Sequence, residues 1–175
     1  MHINVRELLA KKTDVRLDGQ VDIGHLFRDR NDGVRSGTVH ADLNAGCAGD
    51  IVEVKGVLTV PVEFTCSRCL CSYCQRLSIP FREMFTQNAD RLEGDNDELH
   101  LATSDKVDLT PYIEQSVHLG LPFVPLCSET CKGLNPTTGI NRNIDPTDQD
   151  EPPIDPRLAA LADFFGKQNS NDETR

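Results

Sequence analysis

The sequence predicts an α+β domain: an antiparallel curled sheet or partly open barrel with a few short helices, followed by an acidic, partly disordered C-terminal region. Three observations predict it. "DIVEVKGVLTVPVEFTC" (50–66) places Val52, Val54, Leu58, Val60, Val62 and Phe64 on even positions and Glu53, Lys55, Thr59 and Glu63 on odd ones. That is the period of a strand with one buried face. "SGTVHADL" before it and "LSIPFREMF" after it repeat the alternation, so neighbouring strands are at hand to pair with it. Helical signals are short, and 175 residues suffice to bury one core.

"NVRELLAKK" (4–12), the first element, reads as a helix with Asn4 as its cap and Val5, Leu8 and Leu9 on one side. Val39, Ala41 and Leu43 alternate along the next strand, and "NAGCAGD" (44–50) has the length of a hairpin loop. In the long strand, Gly56 and Pro61 predict a bulge or an edge. Leu77, Ile79, Phe81 and Phe85 mark the following strand, and "ELHLAT" (98–103) a further short one. Between them, "QNADRLEGDNDE" (87–98) reads as a mobile acidic loop. "LTPYIEQSVHLGLP" reads as a helix: Thr110 caps it, Pro111 takes the first helical position, Ile113 and Val117 share a face, and Gly120 with Pro122 ends it. The domain so defined covers 1–134. Residues 135–153 have turn chemistry and charge without periodicity, a flexible acidic linker. In "IDPRLAALADFFG" (154–166), Asp155 caps and Pro156 opens an amphipathic helix whose stripe is Leu158, Leu161, Ala162 and Phe165. Residues 167–175 form a disordered tail.

Composition narrows the function classes. The first seventeen residues lack the apolar core of an export signal, and no run approaches the eighteen apolar residues of a membrane span. A cytoplasmic, reducing setting is the expectation, in which cysteines are thiols or metal ligands rather than disulfides. Net charge is −10, and its placement is uneven. Residues 1–87 carry eleven Lys+Arg against eleven Asp+Glu; residues 88–175 carry seven against seventeen. The second half is therefore suited to a basic partner. Broad nucleic-acid binding needs the opposite balance. The basic residues that direct RNA contact would recruit are Arg28, Arg30 and Arg35 with Lys11, Lys12 and Arg16, and Asp29 and Asp32 dilute the first of these groups.

The cysteines carry the chemistry. Cys66-x2-Cys69 and Cys127-x3-Cys131 have the spacing of two metal-binding turns, each supplying two sulfurs to a tetrahedral zinc. Fifty-seven residues separate the pairs, so only the fold can bring them together. Arg68 and Lys132 stand beside the ligands and suit the surplus negative charge of four thiolates. Two other readings stay open at this stage: a thiol–disulfide oxidoreductase using "CSRC", which needs a helix to follow the motif, and a set of buried or spare thiols. Cys71 and Cys74 overlap the first pair, and Cys47 sits in a loop with no partner pattern. The five histidines show no metal or triad spacing, and "GLNPTTG" lacks the lysine of a phosphate loop. Nothing in the sequence calls for an enzyme.

Taken in order, "CSRCL" after a long alternating strand, "IPFREMF", an acidic spacer, "VDLTPYIEQSVHLGLPFVPLC", "CKGL" and "IDPRLAAL" resemble the YceD family of large ribosomal RNA subunit accumulation proteins, from about Val34 to Leu161. The resemblance implies a cytoplasmic, non-enzymatic protein supporting accumulation or processing of 23S ribosomal RNA. It further implies a part in assembly of the large subunit, through a small basic ribosomal protein or a pre-ribosomal surface, with RNA contact indirect. Many relatives continue "CKGLC" into a further Cys-x2-Cys, whereas this chain has Asn135 there and no later cysteine. A zinc site here must therefore rest on Cys66, Cys69, Cys127 and Cys131. Arg157, Leu158, Leu161 and Phe165 on the terminal helix are the candidate partner-binding residues.

Overall fold

In a computed structural model, which describes residues 1–28, 30, 33–92 and 99–145, the elements run β1 (His2–Asn4), α1 (Val5–Lys11), β2 (Val15–Asp22), β3 (Thr38–Ala48), β4 (Ile51–Thr65), β5 (Ser72–Thr86), β6 (Leu99–Leu101), β7 (Lys106–Asp108) and α2 (Thr110–Gly120). Strands β2, β3, β4, β5 and β6 form one sheet in that order, and β1 pairs with β7 in a second, two-stranded one. Edges β2 and β6 do not pair with each other, so the sheet stays open. Every pairing in the large sheet is antiparallel except the last, where β6 joins β5 in parallel over Met84–Thr86.

The period-two pattern does what it predicts. Val52, Val54, Leu58, Val60 and Phe64 of β4 are fully buried, as are Val39, Ala41 and Ala45 of β3. Onto this face pack α1 through Val5 and Leu8 and α2 through Ile113 and Val117, making two layers around one core. The opposite face is wet and held by cross-strand pairs, among them Arg16 with Asp42 at 2.9 and 3.1 Å. Among the described residues, no helix is long and apolar enough to cross a membrane.

Several local expectations change. The loop expected at 44–50 is mostly strand: β3 runs on to Ala48, and the turn is only Gly49–Asp50, with Gly49 at φ +69°. That positive φ is what a two-residue hairpin demands, and glycine supplies it without strain. Gly56 makes no bulge. It lies in the register of β3, where an added Cβ would stand 2.1 Å from the Asp42 carbonyl oxygen. Pro61 does mark an edge. It falls just past the last β3 pair, His40 with Thr59, and Ser36 Oγ donates to its carbonyl at 2.8 Å.

Thr110 is not the cap of α2 but its first residue; Asp108 Oδ1 accepts from the Thr110 N–H at 3.1 Å and from its hydroxyl at 2.8 Å. Of the loop expected at 87–98, Ala89–Leu92 forms a 3₁₀ turn and 93–98 lie outside the described residues. Residues 135–145, read from sequence as the start of a linker, instead fold back on the cysteines. Asn135 is 1% exposed, its backbone N–H donates to Ile140, and its side-chain oxygen accepts from Thr137 and Thr138. The expected terminal helix at 154–166 lies outside the described residues.

Candidate metal centre

The fold closes the two cysteine pairs into one cluster. Cys66 continues the inward register of β4, and "CSRC" then turns tightly: Leu70 N–H donates to the Cys66 carbonyl, and Cys66 N–H to the Cys71 carbonyl, both at 2.9 Å. Leu70 takes φ +58° to close the turn. The second pair arrives after α2 along "LPFVPLC". Ser67 N–H donates to Pro125 O at 2.9 Å, and Leu134 N–H to Arg68 O at 3.1 Å, so each turn holds the other. Gly133, at φ +76°, lies so close that an added Cβ would stand 3.0 Å from the Arg68 carbonyl oxygen.

The four sulfurs lie within 4.8 Å of one another, with Cys66 to Cys131 at 3.8 Å and Cys69 to Cys127 at 3.6 Å. These are free thiols, well beyond the roughly 2.05 Å of a disulfide. A tetrahedral ion bound through sulfur at about 2.3 Å has edges of about 3.8 Å, so the separations and the donor set both fit such an ion. Cys66, Cys69 and Cys131 are buried and Cys127 is exposed.

The electrostatics agree. Burial pushes the Cys66 thiol up, but the backbone N–H groups of Cys127, Cys69 and Arg68 point at its sulfur and bring its pKa down to about 6. Burial likewise opposes ionisation of Cys131, and is outweighed by the Asn143 amide and the Gly133 N–H. Cys69 and Cys127 are pushed up, against one hydrogen bond each that favours their thiolates, by burial and then by the sulfurs around them. Cys66 and Cys131 are thus biased toward the thiolate and Cys69 and Cys127 toward the thiol; a divalent cation between the sulfurs would favour the thiolate at all four.

A ring of partners surrounds the ligands. Asn143 Nδ2 donates to Cys131 Sγ at 3.3 Å, and Arg68 Nη1 to the Cys131 carbonyl at 3.0 Å. Lys132 contributes its backbone N–H to Asn143 Oδ1 at 2.8 Å. The sequence flags Arg68 and Lys132 but gives no signal for Asn143, since "NRN" reads only as turn chemistry. Cys71 stays outside the cluster, exposed, accepting from Asn141 Nδ2 at 3.2 Å. Cys74 is exposed on β5 and Cys47 half-buried on β3.

Strand β5 begins at Ser72, immediately after the "CSRC" turn, so the helix dipole that activates a redox dithiol is missing behind Cys66. The basic residues suited by type to RNA contact do not converge. Arg16 sits at one end of β2 and Arg35 beyond the other, Arg16 is paired with Asp42, and Lys11 is paired with Glu7. Arg157, Leu158, Leu161 and Phe165 lie outside the described residues.

Fold and site together define a class: a two-layer α+β protein in which two distant Cys turns, rather than one contiguous finger, make a four-sulfur clasp. Comparison with known proteins gives the family. The chain matches the model described as "Large ribosomal RNA subunit accumulation protein YceD" over residues 54–165, a span that contains all four cysteines, and it belongs to the YceD family. An uncharacterized protein of Mycobacterium tuberculosis (strain H37Rv) is 31% identical over 130 residues, which are 73% of this chain and 62% of that protein. A Mycobacterium leprae relative is 27% identical over 129 residues, 73% of this chain and 59% of its own. The uncharacterized protein YlbN of Bacillus subtilis is 26% identical over 152 residues, 86% of this chain and 87% of its own. The match thus spans 62% of the length of the M. tuberculosis relative. No solved structure matches the chain.

Proposed function

We propose that this protein is a non-enzymatic cytoplasmic factor that supports accumulation of large-subunit (23S) ribosomal RNA and assembly of the large ribosomal subunit. It acts by surface contact with a basic ribosomal protein or a pre-ribosomal surface, and one zinc ion held by Cys66, Cys69, Cys127 and Cys131 fixes its shape. The observation that carries the reading is the family match across residues 54–165, whose family is named for large ribosomal RNA accumulation. The sulfur geometry supports the structural role of the metal: four protein ligands complete a tetrahedron and leave no open position for substrate or water. The charge balance supports the partner. Seventeen carboxylates against seven cations in residues 88–175 attract a basic protein over a Debye length and speed the encounter.

Depletion of the protein should lower 23S ribosomal RNA and mature large subunits relative to small ones, and wild-type protein should co-sediment with large-subunit precursors. Binding to a basic large-subunit protein should weaken steeply between low and moderate salt. Normal ribosome profiles after depletion would sink the proposal. Reduction of insulin disulfides by the purified protein would instead favour a thiol oxidoreductase.

A further inference from the structure

Beside the cysteine turn runs an apolar groove of about 640 Å³, walled by Leu70, Leu119, Leu121 and Phe123 and flanked by Arg30 and His118. It gathers three strongly exposed apolar side chains in one place: Phe123 is 100% exposed, Leu119 75% and Leu70 64%. These side chains are held there by a built framework. Phe123 stands between Pro122 and Pro125, and Pro125 is pinned by the Ser67 N–H. Leu70 has φ +58°, a conformation that favours Gly or Asn, yet the position carries an isobutyl group turned into the groove. A rigid aromatic and two leucines kept in water mark a surface that something covers.

The chain itself offers a candidate cover. Its described part ends at Asp145, whose N–H donates to Asn141 O at 3.0 Å; Asn141 in turn reaches Cys71 Sγ at 3.2 Å, next to Leu70 of the groove. Thirty residues lie beyond it. The eight at 146–153 extend to at most about 26–29 Å. Past them, Leu158, Leu161, Ala162 and Phe165 repeat at the spacing of one helix face. Charge does not oppose this. Among the described residues the groove lining has Arg30 and no carboxylate, while residues 146–175 carry seven acidic residues against three basic ones. A basic partner suits the acidic half of the protein but not this lining.

We propose that segment 154–165 of the same chain docks in this groove, laying Leu158, Leu161 and Phe165 against Leu70, Leu119 and Phe123. The tether makes the encounter intramolecular, at an effective concentration of roughly millimolar. The docking does not depend on any ribosomal partner.

The chain contains no tryptophan, so Phe123→Trp in the full-length protein places a single indole on the groove at a position that is solvent-exposed in the described fold. With the segment docked, its emission should be blue-shifted and iodide should quench it several-fold less than in the same protein carrying Leu158→Asp, Leu161→Asp and Phe165→Asp. Sedimentation should show a monomer at the same concentrations, and protection should survive dilution. Equal quenching in the two proteins overturns the docking. So does protection that persists when all three substitutions are present. Protection that is lost on dilution assigns the groove to a second copy instead.

Discussion

Cys127 is the one exposed ligand of the cluster, so its substitution tests the metal without opening a cavity in the buried core. Cys127→Ser should lose stoichiometric zinc while Cys74→Ser, outside the cluster, keeps it; atomic emission on the purified proteins distinguishes the two. Glu53 carries the clearest proton-linked stability. Hydrogen bonds from Arg82 and Lys55, with burial opposing them, hold its carboxyl below the ordinary 4.5. A carboxyl depressed in the folded state stabilises above its unfolded pKa and loses that contribution as pH falls through the folded value. Glu53→Gln should therefore cost about 0.5–1 kcal/mol at pH 7, and that cost should shrink as the pH is lowered below 4.5, read from urea unfolding across that range. At this scale the sequence is informative where chemistry is local. The two cysteine pairs are legible from spacing, though not their meeting, and Asn143 is not, because its reach to Cys131 depends on a turn that only the fold defines.

At the scale of elements, α1 is the plainest case of sequence dictating structure. Asn4 Oδ1 accepts from the Glu7 N–H at 3.0 Å, and the helix closes at Lys12 with φ +50°, whose N–H returns to Leu8 O. Asn4→Ala leaves the Glu7 N–H without its partner and should destabilise the protein by about 1 kcal/mol, measured as a lower urea midpoint at unchanged slope. The core strands offer a larger effect. Leu58 is fully buried at the centre of β4, and Leu58→Ala should cost about 2–5 kcal/mol in the same assay. Strands β3, β4 and β5 are legible because each alternates over many residues. Strand β2 carries the same signal too weakly to read, through Val15, Leu17 and Val21 with Gly19 between. The three-residue strands β1 and β7 are too short for any period; their pairing comes from the chain meeting itself across the fold.

For the molecule as a whole, the question is whether a metal at the four-sulfur clasp would hold the protein together or only one end of it. Two apolar clusters among the described residues answer that. The large one contains the sheet face, α1 and α2; the small one contains Cys66, Cys69 and Cys131 with Leu126 against it, and Tyr73 packs against both. None of the four sulfur ligands belongs to the large cluster, unlike a small zinc finger whose only core is its metal. What the clasp does fix is the stretch from Pro125 to Asp145, tied to the rest by Ser67, Arg68 and Cys71 and otherwise poor in apolar contacts. Without an ion, four sulfurs at 3.6–4.8 Å would repel one another as thiolates, and that stretch is the part free to give way. A strong chelator should therefore abolish amide protection over 125–145, by about tenfold or more, while β3, β4 and β5 keep theirs, and zinc should restore it. Hydrogen exchange with peptide mapping reads both regions in one sample. Loss of protection across the whole sheet on chelation would overturn the two-cluster account, and unchanged protection at 125–145 would show that the cysteines hold their turns without an ion.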